Sequence, residues 1–340
     1  MTPSPDFLSC DWGTTSFRLR RVRGTDSEVT GEIRHGEGVK VVHARLADVG
    51  RAADARARAE AFAAVLGRAI RSLGEGPAGP VTDGTPVLVS GMASSTLGWK
   101  ELPYARVPCG LEGGGLKIEA MDPIRVDGRT YPVSMVSGLA TECDVLRGEE
   151  TELLGTLALP ELAAIRNSCV VVLPGTHSKH VRVRDGAVVD FRTFMTGELL
   201  EVLSTHSVLG ASVIWPPPAD ASGAGAALRD GARAARELGL ARGLFRVRVR
   251  TVLERCERGD NAWFLVGLAT GAEILDLLAW DAALPVVLAG SAAVSAGYRA
   301  VFEALDALSR LTVVEPGRLV HATVRAHGLL LRRGPGKVRA

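Results

Sequence analysis

Apolar residues recur along this chain with two periods, and each change of period marks an element. Phe7 and Leu8 lead into the polar hexapeptide Asp11-Trp12-Gly13-Thr14-Thr15-Ser16, and Phe17, Leu19 and Val22 follow it with the alternation of a half-buried strand. After the turn-rich stretch 23–27, residues 28–33 read as a third strand. Phe62, Val65, Leu66, Ala69, Ile70 and Leu73 then share one helical face. A loop over 74–84, a buried strand over 86–90, an irregular Gly/Ser stretch over 91–101 and a strand over 131–136 precede a helix that starts near 144–148. The second half opens on a β-branched strand at 169–173, followed by Pro174-Gly175-Thr176-His177-Ser178. Two alternating runs, 180–184 and 187–194, flank Asp185-Gly186, which predicts a tight hairpin. Helices are expected at 196–208, 225–240 and 262–279, then a strand at 285–289, a helix after Gly290-Ser291 and a last helix near 318–331. The basic tail 332–340 reads as a solvated terminus.

The two halves share a weak repeat. Asp11 to Ser16 aligns with Leu173 to Ser178, with Gly, Thr and Ser at the same offsets, and each copy lies between an apolar strand and a strand-turn-strand sequel. Two such loops could clamp a polyphosphate from opposite sides through backbone N–H groups and hydroxyls. Chance likeness between two Gly/Thr turns is the competing explanation, and the shared context weighs against it. A Walker loop would end in Gly-Lys-Ser/Thr and open a helix, and a dinucleotide fingerprint would carry three spaced glycines before one. Neither stands at Asp11, where the continuation is strand-like.

At 340 residues, two lobes are the default, divided here as 1–160 and 161–340, with the last helix free to pack back on the first. Hydrophobic residues make up 46% and charged residues 23%, which excludes a disordered domain. Forty basic and 38 acidic residues nearly cancel, so no broad basic field points to nucleic acid. The five cysteines lack metal-site spacing and no secretory signature precedes them, which predicts reduced thiols in a cytoplasmic protein. The apolar stretch 262–280 contains Glu273 and Asp276, so it reads as a buried helix and not as a membrane span.

The ordered motifs resemble the actin/Hsp70/sugar-kinase superfamily, and within it the 2-dehydro-3-deoxygalactonokinase family. They are Asp11-Trp12-Gly13-Thr14-Thr15, Gly91-Met92 with Gly98-Trp99-Lys100, Arg147-Gly148-Glu149-Glu150-Thr151, Leu173 to Lys179, Asp190-Phe191-Arg192-Thr193, Met195-Thr196-Gly197-Glu198-Leu199, 267–273 and Ala289-Gly290-Ser291. The resemblance implies an α/β, two-lobed actin-like ATPase or sugar-kinase fold made of duplicated ribonuclease-H-like domains. It also implies ATP with Mg²⁺ in the cleft and phosphoryl transfer to the terminal hydroxyl of 2-dehydro-3-deoxy-D-galactonate. Ser16 stands where that family often has Asn. Leu173 stands where the wider superfamily carries a second carboxylate, which leaves metal handling to the first loop.

Phosphoryl transfer needs positioned groups and charge neutralisation. Asp11 is the expected Mg²⁺ ligand, direct or through water. Gly13, Thr14, Thr15, Ser16, Gly175, Thr176, His177 and Lys179 are the expected phosphate contacts, and Gly290 and Ser291 the adenosine contacts. If 145–157 is helical from its start, Glu149 and Glu150 project into the apolar face of Val145, Leu146, Leu153, Leu154 and Leu157, and Thr151 points away. One of the two glutamates could then take the substrate's proton, the alternative being that both favour a helix dipole. Trp99, Lys100, Arg147 and Arg192 are the sugar-acid candidates, Trp99 competing with a core role. A phosphatase of the exopolyphosphatase type and a non-catalytic sugar sensor are the alternatives, and a homodimer is allowed.

Overall fold

Strand β1 (Phe7–Trp12) is buried over almost its whole length, and the first half of the chain is built outward from it. The computed structural model describes residues 6–24, 28–219 and 223–333, so most of the basic tail expected at 332–340 lies outside the described residues. The chain groups into two units, Met1–Arg166 with Gly186–Asp190 and Val320–Ala340, and Asn167–Asp185 with Phe191–Leu319. Beyond the return allowed for the last helix, a cut at residue 160 passes over the return at Gly186–Asp190.

In the first unit β1 is followed by β2 (Phe17–Arg23), β3 (Glu28–His35), α1 (Val39–Asp48), α2 (Ala55–Gly74) and β4 (Val87–Gly91). Short strands β5 (Ala105–Arg106) and β6 (Cys109–Gly110) come next, then β7 (Ile118–Val126), β8 (Arg129–Val136), β9 (Leu139–Ala140), β10 (Val145–Leu146) and helix α3 (Glu149–Leu157). The main sheet has the order β3-β2-β1-β4-β8-β7, and β10-β9-β5 forms a small second sheet. β1 pairs antiparallel with β2 and parallel with β4. Helix α2 starts ahead of its apolar face because the Asp54 carboxylate caps it, accepting from the N–H groups of Arg56 (2.9 Å) and Ala57 (3.1 Å). Its Phe62, Val65, Leu66, Ala69 and Ile70 pack into one cluster with Trp12, Phe17 and Val89. Each of the larger aliphatic and phenylalanine side chains contributes roughly 1.5–3 kcal/mol on burial.

The second unit holds β11 (Cys169–Leu173), β12 (Ser178–Arg184), the end of β13 (Ala187–Phe194, whose first four residues belong to the first unit), α4 (Thr196–His206), α5 (Ala224–Leu253), α6 (Arg258–Trp280), β14 (Val286–Leu288), α7 (Ala292–Ala304), β15 (Leu311–Val313) and α8 (Pro316–Leu319). The β12–β13 turn is the expected Asp-Gly hairpin, with Asp185 at φ 50° and Gly186 at φ 73°. Helix α5 runs past residue 240 and is interrupted at Gly239 (φ 70°). Helix α6 is long and apolar enough to cross a membrane by composition. Here it packs on α5, and its glycines set the distance: a Cβ on Gly267 would lie 1.9 Å from Leu228 O, and one on Gly271 2.8 Å from Ala232 Cα.

The strand order β15-β14-β11-β12-β13 repeats β8-β4-β1-β2-β3. The two parallel steps, β11 to β14 and β14 to β15, repeat those from β1 to β4 and from β4 to β8. The repeat seen in two loops is thus a repeat of whole sheets, and the fold is the duplicated, ribonuclease-H-like fold of actin-like ATPases and sugar kinases. The last helix, α9 (Ala322–Arg333), belongs to the first unit and lies against α3. Their contact is close enough that a Cβ on Gly155 would fall 1.7 Å from Ala322 O. From α9, buried His327 reaches β1, its Nδ1 2.8 Å from Ser9 Oγ; burial and the nearby Arg20 push its pKa down to about 3, so it is neutral.

Candidate active site

The first loop is shorter than the hexapeptide that announced it, because Asp11 and Trp12 are the last residues of β1. Trp12 is fully buried. The carbonyls of Gly13 and Thr14 accept from Val39 N–H and Lys40 N–H at 3.0 Å, so the start of α1 braces the loop, and Thr15 and Ser16 are exposed. Asp11 sits opposite Arg18 in the β1–β2 ladder and pairs with its guanidinium at 3.6 Å. Its side chain keeps 38% exposure, yet the surrounding protein raises its pKa against the pull of Arg18 and Arg20.

The acidic turn lies beside this strand. Val145 and Leu146 form β10, so the helix expected from 145 begins only at Glu149. Gly148 turns the corner at φ 109°, and a Cβ there would stand 3.3 Å from Gly91 Cα, the residue paired with Trp12. This register corrects the placement of Thr151, which is buried, donates to Gly148 O at 2.8 Å and lies 3.3 Å from Ser90 Oγ. The glutamates separate. Glu149 is half-buried and accepts from Arg147 N–H at 2.9 Å. Glu150 is 1% exposed, and its Oε2 accepts from Gly148 N–H at 2.6 Å while its Oε1 has no partner among the described residues. Burial and then the charge of Glu149 raise the Glu150 pKa to about 8.

Glu152 was missed by the sequence reading. Burial, then Asp11 and Glu149, raise its pKa to about 7, so it shares the electrostatic field of both. Its signal was the i, i+3 spacing from Glu149, legible only with the helix started at Gly148. Asp11, Glu149 and Glu152 are thus the carboxylates gathered at the end of β1.

The side chains of the sugar-acid candidates make contacts of their own. Trp99 is 4% exposed and packs in the core with Trp12 (centroids 6.3 Å) and Phe62 (6.4 Å), the core role that competed with sugar contact. Arg147 spends its donors on the scaffold, reaching Ser94 O, Ser94 Oγ (2.7 Å), Leu102 O (3.2 Å) and Tyr104 OH (3.3 Å), with the guanidinium 4.1 Å from the Tyr104 ring centre. Lys100 forms an exposed ion pair with Glu119. Arg192 belongs to the second unit, pairs with Asp276 at 2.6 Å and lies over Trp280.

In the second unit the loop residues and the start of α7 do come together. Gly290 packs against Pro174, a Cβ there meeting its ring at 3.3 Å, and Ser291 caps α7. The loop is held from beneath by α4: Glu198 N–H donates to Thr176 O at 3.1 Å, and a Cβ on Gly197 would come within 2.8 Å of Gly175 O and Thr176 Cα. His177 pairs with Glu198 at 2.6 Å, and the ammonium of buried Lys179 donates to His177 O at 3.0 Å. Behind the loop, buried Glu273 accepts from Tyr298 OH (2.8 Å) and Thr196 Oγ1, with His180 Nε2 at 2.7 Å; Tyr298 in turn meets Ser178 Oγ at 3.2 Å. One carboxylate therefore ties β12, α4, α6 and α7 around Gly175 and Thr176.

A family model described as 2-keto-3-deoxy-galactonokinase matches residues 11–325. The 2-dehydro-3-deoxygalactonokinase of Escherichia coli (strain K12) is 30% identical over 315 residues, covering 88% of this chain and 90% of that protein. A Rhizobium meliloti (strain 1021) protein designated probable 2-dehydro-3-deoxygalactonokinase is 34% identical over 311 residues, covering 89% of this chain and 90% of its own. A crystal structure of a Sinorhizobium meliloti protein given the same name provisionally has 32% identity and superposes with a TM-score of 0.75, covering 97% of this chain and all of that one. Matched from the end of β1 to its last helix, the chain belongs to the 2-keto-3-deoxy-galactonokinase family.

Proposed function

We propose that this protein is a cytoplasmic, ATP-dependent kinase that phosphorylates 2-dehydro-3-deoxy-D-galactonate at its terminal (C6) hydroxyl. The observation that carries the reading is the family match over residues 11–325, which includes every carboxylate gathered beside the first loop. In this reading the loops 13–16 and 175–179 hold the nucleotide phosphates through backbone N–H groups and hydroxyls. Glu149 accepts the proton of the C6 hydroxyl as its oxygen bonds to the γ-phosphorus and the bond to the ADP leaving oxygen breaks. Glu150 does not compete for that proton, because at neutral pH it already carries one.

Mg²⁺ suits the acidic end of β1. Among the described residues no set of three side chains forms a dedicated metal cage, and Mg²⁺ asks for less: one or two carboxylates, with water and phosphate oxygens completing the shell. Asp11 would hold it, with Glu152 close by; when bound, the ion would neutralise charge developing on the phosphates. The family's kinases act on a sugar acid, and the small-molecule substrate here is inferred from that membership.

The test is ADP release across a panel of 2-keto-3-deoxy sugar acids, with the product identified by mass and ³¹P spectra. Turnover that requires the galactonate is expected; equal phosphate release without any sugar acid would replace the kinase reading with a hydrolase. Asp11→Asn and Glu149→Gln should each lower kcat on the order of 10²-fold or more, the scale of a positioned acid–base or metal-holding group. Near-normal turnover in either variant removes that residue from the mechanism.

A further inference from the structure

Glu273 takes no part in the proposed transfer, yet it is buried, and a buried carboxylate is costly unless donors meet it. Three do. Its Oε1 accepts from Tyr298 OH at 2.8 Å and from His180 Nε2 at 2.7 Å, and its Oε2 accepts from Thr196 Oγ1. A carboxylate only accepts, which places the His180 proton on Nε2. The three donors come from β12, the first turn of α4 and α7, all in the second unit. Each of these elements meets the loop 174–178. β12 continues the loop, Gly197 of α4 packs on Gly175 and Thr176, and Gly290, just ahead of α7, packs on Pro174.

The directions of the hydrogen bonds follow from the carboxylate outward. Tyr298 spends its one proton on Glu273, and burial together with that negative charge raises its pKa well above the usual 10, so the proton stays. The phenol oxygen is then an acceptor, and Ser178 Oγ donates to it at 3.2 Å. The hydroxyl that matches Ser16 in the loop repeat is therefore turned into the protein: Ser178 is buried where Ser16 is exposed. The exposed tip Gly175-Thr176-His177 is pinned on both sides, Pro174 by Gly290 and Ser178 by Tyr298. Tyr298 lies two turns on from the Ser291 cap, on the same face of α7. One carboxylate thus fixes the phosphate loop against the helix whose start is the expected adenosine contact.

We propose that Glu273 is a positioning residue for the nucleotide, setting the spacing of α4, the second loop and α7 through Thr196, Tyr298 and Ser178. The inference rests on the kinase reading, in which loop 175–179 and Gly290-Ser291 take the phosphate and adenosine ends of ATP. A loop already held in its binding shape loses less freedom when the ligand arrives, so breaking the clamp weakens ATP binding. A clamp also couples its two ends. Releasing either Thr196 or Tyr298 undoes the spacing that both maintain, so their contributions are not additive. Side chains that merely filled space would lower stability and leave nucleotide affinity where it was.

The test measures MgATP binding by calorimetry without sugar acid, and KM for both substrates, in wild type, Tyr298→Phe, Thr196→Val, their double variant and Glu273→Gln. Tyr298→Phe and Thr196→Val each remove one hydrogen bond with little change of shape, and should raise Kd and KM for ATP about 3- to 10-fold. Glu273→Gln removes the charge that all three donors meet and should raise them about 10- to 100-fold. KM for the sugar acid should stay within about twofold. The double variant should bind ATP no more than about twofold worse than the weaker of the two single variants. Lower melting temperatures with unchanged ATP binding would overturn the proposal, as would a double variant whose loss is the product of the single losses. If Glu273→Gln does not fold, the Tyr298 and Thr196 cycle decides alone. A wild type that binds ATP but phosphorylates no sugar acid would defeat the kinase reading, and the Kd series would still judge Glu273; a wild type that binds no ATP would end both.

Discussion

Glu150→Gln separates the two neighbouring glutamates by a measurement that does not depend on turnover alone. In the folded protein, burial and the charge of Glu149 raise the Glu150 pKa from 4.5 to about 8. The unfolded chain releases that proton near 4.5, whereas the folded chain keeps it. Between these values the native state binds more protons than the unfolded state, so stability falls as pH rises. At 1.36 kcal/mol per unit, the loss is about 3 kcal/mol by pH 7 and at most about 5 kcal/mol above pH 8. Glutamine cannot ionise, and its carbonyl can still accept from Gly148 N–H. Urea unfolding from pH 4.5 to 9 should therefore find wild type and variant equal at the acid end and the variant increasingly more stable above it. At pH 7 kcat should stay within about threefold of wild type, since a group already neutral is replaced by a neutral one. Parallel stability curves, or a hundredfold loss of kcat, would refute both the protonation state and the division of roles.

Three further substitutions probe the packing around the two loops. Trp99→Phe should cost about 1–2 kcal/mol of stability, read by denaturant melts, with KM for the sugar acid unchanged, because the indole fills a core contact with Trp12 and Phe62. Gly197→Ala drives a methyl to within 2.8 Å of Gly175 O, so the second loop must shift, and KM for ATP should rise about tenfold while the acid's KM holds. Gly155→Ala meets Ala322 O at 1.7 Å, and the overpacking should cost about 1–3 kcal/mol or more and expose α9 to limited proteolysis; unchanged digestion would show that α9 is not held there.

What the sequence disclosed was whatever a local period or a fixed turn could carry. α2 declared itself through six residues on one face, and the β12–β13 hairpin through Asp185-Gly186. α1 was silent because only Val39, Val42 and Leu46 are buried and Gly38 offers no side-chain cap. β5, β6, β9 and β10 are two residues each, too short for any alternation. β7 hides behind a register shift between Met121 and Ile124. The site followed the same rule. Asp11 and the Gly/Thr loops carried a recurring signature, whereas Glu152 depends on where a helix begins.

Trp99 and Arg147 share a structural role. Both lie in motifs of the family resemblance, and both hold the segment between β4 and α3, Trp99 by filling the core and Arg147 by donating to Ser94, Leu102 and Tyr104. A guanidinium with most donors met has little left for a ligand, and a tryptophan at 4% exposure offers a ligand little surface. Gly148 and Glu149 sit at the far end of that segment, so moving either anchor would shift the proposed base without touching it. Residues in a recurring motif can thus be there for geometry, and the groups that meet substrate are better sought where donors are unspent at a cavity wall.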